Sequence, residues 1–333
     1  MLRPRALASA FAICVVVAPL AMLARAAGDL VDHPADAAPL AARSLILDLA
    51  RAGERMVAVG ERGHVLLSDD QGASWRQAKS VPSRTMLTAV TFADAQHGWA
   101  VGHDEIIVNT VDGGETWTRS HYAPESQQPL LDVYFADRSR GIAVGAYGAY
   151  FTTSDGGQSW QGQKFAARPL PLAPGQSADD IPPDYHLNRI AASGSHLYIA
   201  AEAGQIYRSD DAGATWITLR SPYNGSFFGL LPLDGDSLLI FGLRGHLFRS
   251  NDAGQTWSLI DVGTKAMLTD GARLGGSSLA LVGLSGSVLV SKDAGASWSL
   301  RQQPDRKGLS AVLAGPAGEL IAVGEGGTRR VTL

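Results

Sequence analysis

Six aspartates recur in nearly the same eight-residue setting. The phrases are "SDDQGASW" (68–75), "TVDGGETW" (110–117), "TSDGGQSW" (153–160), "SDDAGATW" (209–216), "SNDAGQTW" (250–257) and "SKDAGASW" (291–298). Carboxylate, glycine and hydroxyl at this spacing suggest a calcium loop. Such a loop ends on a bidentate glutamate, however, and here the following residues continue an apolar strand pattern. The eight histidines are scattered and form no H-x-x-x-H pair, so no metal site is expected. His64 and His246 follow the same glycine of a repeat, which is repeat identity rather than ligation. Neither a G-x-S-x-G elbow nor a P-loop occurs. The residues therefore assign no catalytic group, no metal and no cofactor, and give the phrase a structural role. Asp70, Asp112, Asp155, Asp211, Asp252 and Asp293 can accept hydrogen bonds from their own turns. The glycine two residues later supplies a positive φ. Trp75, Trp117, Trp160, Trp216, Trp257 and Trp298 can bury a large apolar surface between neighbouring elements.

These turns need strands to join. A second landmark precedes each phrase: "VAVGERG" (57–63), "WAVGHDE" (99–105), "IAVGAYG" (142–148), "YIAAEAG" (198–204), "LIFGLRG" (239–245) and "ALVGLSG" (280–286). It occurs a seventh time as "IAVGEGG" (321–327). The tryptophans are spaced 42, 43, 56, 41 and 41 residues apart. The third unit reads "LLDVYFAD", "RGIAVGAY", "AYFTTSDG" and "QSWQGQKF", four runs of strand length rich in β-branched and aromatic residues. Four strands in ~40–45 residues is the period of a propeller blade. A lone blade cannot bury both its faces, whereas blades packed around an axis bury them against each other. The expectation is an all-β, seven-bladed β-propeller with six phrases of this kind.

The phrase matches the Asp-box, or BNR repeat. The fuller pattern "L-x-D-V-x-F-x-D…G-x-A-V-G-x-x-G…T-x-D-G-G-x-x-W" resembles the photosystem II stability/assembly factor family of seven-bladed propellers. That resemblance covers nearly all of the chain after its leader. It implies a chaperone-like protein that binds an integral-membrane partner on the lumenal side and carries no cofactor. Relatives in bacteria without photosynthesis, some encoded beside RND-type exporters, imply an RND transporter accessory as a variant of that role.

Both chain ends carry information. Residues 1–26 have a basic start at Arg3 and Arg5, an apolar run from Ala6 to Ala24 and an A-x-A site at Ala24-Arg25-Ala26. This is read as a secretory signal peptide cleaved near Ala26, with a periplasmic or otherwise exported product, thylakoid-lumen-like in a photosynthetic host. The single cysteine, Cys14, lies inside it, so no disulfide is expected in the mature chain. Cleavage removes three basic residues and no acid, taking the net charge from −4 to −7. That is not the charge of a nucleic-acid binder. Residues 27–333 are read as one propeller. The seventh unit stops after its third strand, so residues 27–43 are expected to close the ring by donating the missing outer strand. Pro34 and Pro39 would fit only on such an edge. Residues 168–186, with five prolines, form an insertion between the third and fourth units, stiff and unsuited to strand pairing.

The turns between second and third strands differ in every unit while their frame hardly varies. Turns that vary on a fixed scaffold suggest recognition. By strand alternation they share one end with the connections between blades. The candidate partner-binding residues there are Arg62, His103, Tyr147, Arg244, Tyr185, Tyr223, Phe227 and Arg306, with Tyr and Arg the side chains most typical of protein hot spots. The expected function is non-enzymatic: an exported, monomeric propeller that helps assemble or support a membrane protein complex. The alternative is a sialidase-like glycoside hydrolase or a lyase propeller, because sialidases carry Asp-boxes too. Their first arginine stands in F/Y-R-I-P, and the nearest match here, "NRIA" at 188–191, lacks both flanks.

Overall fold

The computed structural model describes residues 33–171 and 184–333. Seven antiparallel sheets follow one another along them, six of four strands and a last one of three. In the third, strands Leu130–Phe135, Gly141–Gly145, Ala149–Thr153 and Gln161–Lys164 pair in chain order. The second strand, GIAVG, is buried at every position, and the fourth, QGQK, is exposed at every position. Packing of a neighbour on both faces explains the unbroken apolar run in the former. Seven apolar clusters each join two adjacent blades. One unites Ile142, Val144 and Tyr150 of blade 3 with Leu187, Ile199 and Tyr207 of blade 4. Another unites Ile46, Met56 and Leu66 of blade 1 with Ala311, Ile321 and Val323 of blade 7. The sheets therefore form a closed seven-bladed β-propeller. No helix among the described residues is long and apolar enough to cross a membrane.

Each Asp-box turn is built the same way. The Asp70 carboxylate accepts the Ser74 N–H at 2.9 Å, the Ser74 hydroxyl at 2.6 Å and the Ser68 hydroxyl at 2.8 Å. The Ser68 oxygen in turn accepts the Gly72 N–H at 2.8 Å. Asp211 repeats this with Thr215 and Ser209, and Asp293 with Ser297 and Ser291. The hydroxyl and N–H donors hold Asp70, Asp155, Asp211 and Asp293 down to about 2. Each tryptophan packs into the seam shared with the preceding blade: Trp117 against Val57 and Leu67, Trp216 against Ile142 and Tyr150.

The described residues 33–43 of the N-terminal segment differ from the expected outer strand. Blade 7 has three strands, Leu309–Ala314, Leu320–Gly324 and Gly327–Val331, and the described part of the N-terminal segment adds no fourth. That segment instead runs across the turn end. Ala35 donates its N–H to Val81 O at 2.9 Å, Ala41 is buried, and a single 3₁₀ turn spans Ala41–Arg43. Its Ala42 carbonyl presses on Gly327, where a Cβ would come within 2.0 Å. In every other blade this place is taken by the connection to the next blade, so the N-terminal segment stands in for a seventh connection. Pro34 and Pro39 suit such a path, because they have no N–H to offer a sheet. Blades 7 and 1 are held by their shared apolar cluster, by Arg330 donating to Gln71 O at 3.0 Å and by Arg51 donating to Ala314 O at 2.6 Å. The signal-peptide reading (1–26), residues 27–32 and residues 172–183 of the insertion lie outside the described residues.

Candidate partner-binding face

The turns between second and third strands share one end of the ring with the connections between blades. A Cβ on Gly63 would lie 1.9 Å from Ser83 O, on Gly204 2.1 Å from Tyr223 O, and on Gly245 2.1 Å from Thr264 O. Each turn is thus wedged against the connection leaving its own blade. Tyr185 O accepts the Gly148 N–H at 3.0 Å, which brings the end of the proline-rich insertion to the blade 3 turn. The Asp-box turns meet the turns between first and second strands at the other end, as in Gly156 N–H to Ser139 O at 2.9 Å.

Six of the seven turns put one residue at the tip in left-handed backbone: Arg62 (φ 56°), Asp104 (57°), Tyr147 (53°), Ala203 (52°), Arg244 (59°) and Ser285 (58°). That conformation costs a non-glycine residue roughly 1–2 kcal/mol. Arg62, Tyr147 and Arg244 project from it as exposed side chains. His103 is exposed too but precedes the tip, which in blade 2 is Asp104. Not all the variation is free for recognition. Glu61 accepts the Leu45 N–H, Glu202 the His186 N–H and Glu325 the Gly308 N–H, at 3.3, 2.9 and 2.9 Å. These three carboxylates anchor the entry into an inner strand.

Tyr147 meets His186 edge-on, ring centroids 4.7 Å apart, and Tyr185 is half-buried beside them. Tyr223 packs on His246 with centroids 4.1 Å apart and is half-buried. Arg306 is exposed on the connection beside the blade 6 turn. Phe227 requires a correction. It is the first residue of its inner strand and fully buried in the core between blades 4 and 5, so it offers a partner no surface. Arg62 and Arg244 stand on blades 1 and 5, so they engage separate groups rather than grip one carboxylate together. Among the described residues neither is paired. Sequence reasoning passed over two apolar side chains on this end, Leu243 and Leu284, 37% and 39% exposed.

It also passed over a charge cluster on the axis, made of three buried carboxylates and a half-buried arginine. Every inner strand carries a bulge after its first residue, as at Ile46/Asp48, Leu187/Arg189 and Leu268/Asp270. Bulges re-aim side chains, and here the third residue of the strand points inward. Arg189 of blade 4 reaches Asp270 of blade 6 at 3.2 Å, Asp132 of blade 3 at 3.6 Å and Asp48 of blade 1 at 3.9 Å. Blades so far apart meet only at the axis. Each carboxylate also ties its blade to the next: Asp48 accepts Val90 N–H, Asp132 Ile190 N–H and Asp270 Val312 N–H, at 2.8, 2.8 and 2.9 Å. Three carboxylates share one guanidinium. Burial pushes Asp48 up to about 7 against the pull of Arg189, and raises Asp132 and Asp270 as well. Burial opposes the charge of Arg189, but the three carboxylates outweigh it and hold its proton more firmly.

Comparison with known proteins agrees with this architecture. The family described as photosynthesis system II assembly factor YCF48 matches residues 78–129 and 123–273. A photosystem II stability/assembly factor HCF136, chloroplastic, from Cyanidioschyzon merolae (strain NIES-3377 / 10D), is 35% identical over 80 residues, 23% of this chain and 17% of that protein. The match thus spans under a fifth of that relative's length. Among solved structures, YCF48 bound to D1 peptide superposes with a TM-score of 0.68 at 18% identity, covering 90% of this chain and 96% of the other. YCF48 from Cyanidioschyzon merolae gives 0.66 at 15%, covering 89% and 98%. The WD40 propeller of Doa1 gives 0.65 at 13%, covering 91% and 96%, so at these identities superposition speaks for the fold alone. The family match over more than half the chain places this protein in the photosystem II assembly factor YCF48 family.

Proposed function

We propose that this chain is a non-enzymatic, exported propeller that binds an integral-membrane protein and assists its assembly. Its partner docks on the end bearing Arg62, His103, Tyr147 and Arg244. Membership of an assembly-factor family carries the reading. A solved family structure is that of YCF48 bound to a D1 peptide. The exposed side chains of Arg62, Tyr147 and Arg244 support the choice of end, since arginine and tyrosine are enriched at protein-binding hot spots. In a photosynthetic host the partner is a photosystem polypeptide. In a host without photosynthesis we assign the same face to an RND-type exporter. Export follows from the leader at 1–26, and we take the released propeller to be a monomer. Affinity capture from detergent-solubilised host membranes tests the reading, with the tagged propeller expressed from its own leader. One integral-membrane protein should be enriched, and the propeller should be recovered outside the cytoplasm without residues 1–26. Capture of soluble proteins alone would overturn it.

A further inference from the structure

Five seams between blades use one device. A planar side chain of one blade donates an N–H to the carbonyl of the residue that follows the Asp-box aspartate in the next. Arg55 reaches Gly113 O at 3.1 Å, Trp99 Gly156 O at 2.8 Å, Arg208 Ala253 O at 2.9 Å, Arg249 Ala294 O at 2.7 Å and Arg330 Gln71 O at 3.0 Å. The sixth Asp-box, in blade 4, presents the same group. Ala212 follows Asp211 in the same left-handed backbone (φ 58°) as Gln71, Ala253 and Ala294.

Blade 3 offers it no such donor. Strand register puts Thr152 where Arg208 and Arg249 stand, and Ile142 where Trp99 stands. Arg140 occupies the register of Arg55 but is turned onto Asp137, its Nε 2.9 Å from the carboxylate. Tyr150 donates one residue further on, to Gly213 O at 2.9 Å. Among the described residues nothing donates to Ala212 O. This seam holds a cavity of about 590 Å³ instead, lined by Tyr134, Ile142 and Leu197 as well as by Thr152, Gln163 and Ala212. Its apolar walls suit a methylene stem and its carbonyl suits a planar donor. The two basic side chains that line it are each already bonded to an aspartate, Arg140 to Asp137 and His196 to Asp210 at 2.7 Å.

We propose that the seam between blades 3 and 4 binds an arginine side chain presented by a partner protein, which completes from outside the contact the other seams make from within. A guanidinium is always charged and carries five donors in a rigid plane, as do four of the five intramolecular precedents. The site lies at the Asp-box end, opposite the face proposed for the membrane partner. It stands or fails independently of that reading.

The test is a titration of the intact propeller with N-acetyl-arginine amide, read from the backbone amide resonances of Thr152, Gly213 and Ala214. N-acetyl-citrulline amide is the uncharged control. Arginine should give saturable shifts at these amides and citrulline should bind roughly tenfold more weakly, since charge-assisted bonds are about twice as strong as neutral ones. Two variants fill the seam with solutions the chain already uses elsewhere: Thr152→Arg, as in blades 4, 5 and 7, and Ile142→Trp, as in blade 2. Each folded fill should abolish the shifts, and either alone suffices if the other does not fold. Arg140→Ala should leave them intact. Absence of saturable shifts with arginine, or their survival in a folded fill, overturns the proposal. So does a loss of thermal stability in Arg140→Ala as large as in Arg249→Ala, because Arg140 would then be the seam's own clamp.

Discussion

At the scale of single residues, two sets of carboxylates respond to pH in opposite senses. Asp70, Asp155, Asp211 and Asp293 are held down to about 2 by hydroxyl and N–H donors, and Asp112 and Asp252 are lowered in the same way. Their contribution to stability is present above the ordinary carboxylate range and fades as the pH falls through their folded pKa. Asp48 is the reverse. Its folded pKa of about 7 exceeds its unfolded value, so the unfolded chain ionises first. Stability therefore declines as pH rises from about 4 to about 7 and is level above that. Asp48→Asn keeps an oxygen for the Val90 N–H and removes the titration. In urea melts its stability relative to wild type should climb between pH 4 and 8, approaching ~4 kcal/mol in total. A pH-independent difference would show that Asp48 ionises normally. Removing the shared cation is harsher. Arg189→Met leaves three carboxylates facing one another and should destabilise by roughly 3–5 kcal/mol at neutral pH. Trp216 is 5% exposed, and its indole N–H donates to the Tyr150 hydroxyl at 3.1 Å. Trp216→Ala should cost roughly 3–5 kcal/mol without changing the partner affinity of the folded protein.

At the scale of elements, strand order and turn chemistry were legible because they repeat. Seven AVG-type strand pairs predict seven second strands, and the glycine two residues after each Asp-box aspartate has φ between 78° and 91°. What repetition could not reveal is what differs once per ring. Arg189 sits in "LNRI" as a charge inside an apolar inner strand, and that was the available signal. Its partners lie in three other blades, and no local periodicity pairs them. Phe227 was misplaced because the inner strand begins one residue earlier than the turn residues suggest. Aligning it with Ile46, Leu87 and Leu130, all fully buried, gives the correct assignment. The N-terminal segment was expected to pair as a strand because the last blade ends early. The prolines were the contrary signal, and the segment serves as a connection. Deleting residues 27–42 should therefore still lower thermal stability, by about 2–4 °C for each kcal/mol lost. Unchanged melting would mean that the buried Ala41 and the contact of Ala42 with Gly327 hold nothing together.

At the scale of the molecule, the ring separates two ends with different tolerances. Asp-box turns are fixed by hydrogen bonds to their own aspartates, and five of the six also by an arginine or tryptophan from the neighbouring blade, so their backbone is committed to cohesion. The opposite turns of blades 1 and 5 are fixed by wedged glycines, Gly63 and Gly245, which leaves the tip side chains of Arg62 and Arg244 unconstrained, while Tyr147 rests edge-on against His186. If a partner docks there, Arg62 and Arg244 meet different parts of it, because blades 1 and 5 are not neighbours. Sites this far apart with no shared contacts act additively, to within about 0.5 kcal/mol. The fold-losses in affinity from Arg62→Glu and Arg244→Glu should then multiply to that of the double variant, which should bind more than ~10-fold more weakly, equivalent to over ~1.4 kcal/mol. Folding should be unaffected, since glutamate inherits the same left-handed tip and no buried contact is lost. Gln71→Glu and Gln255→Glu place the same carboxylate, with half the change in charge, at exposed positions at the Asp-box end and should change the affinity little. Binding isotherms for the four single variants and the double, against the membrane partner in detergent, decide the matter. Loss of binding in the glutamine variants but not in the arginine reversals would move the docking site to the Asp-box end.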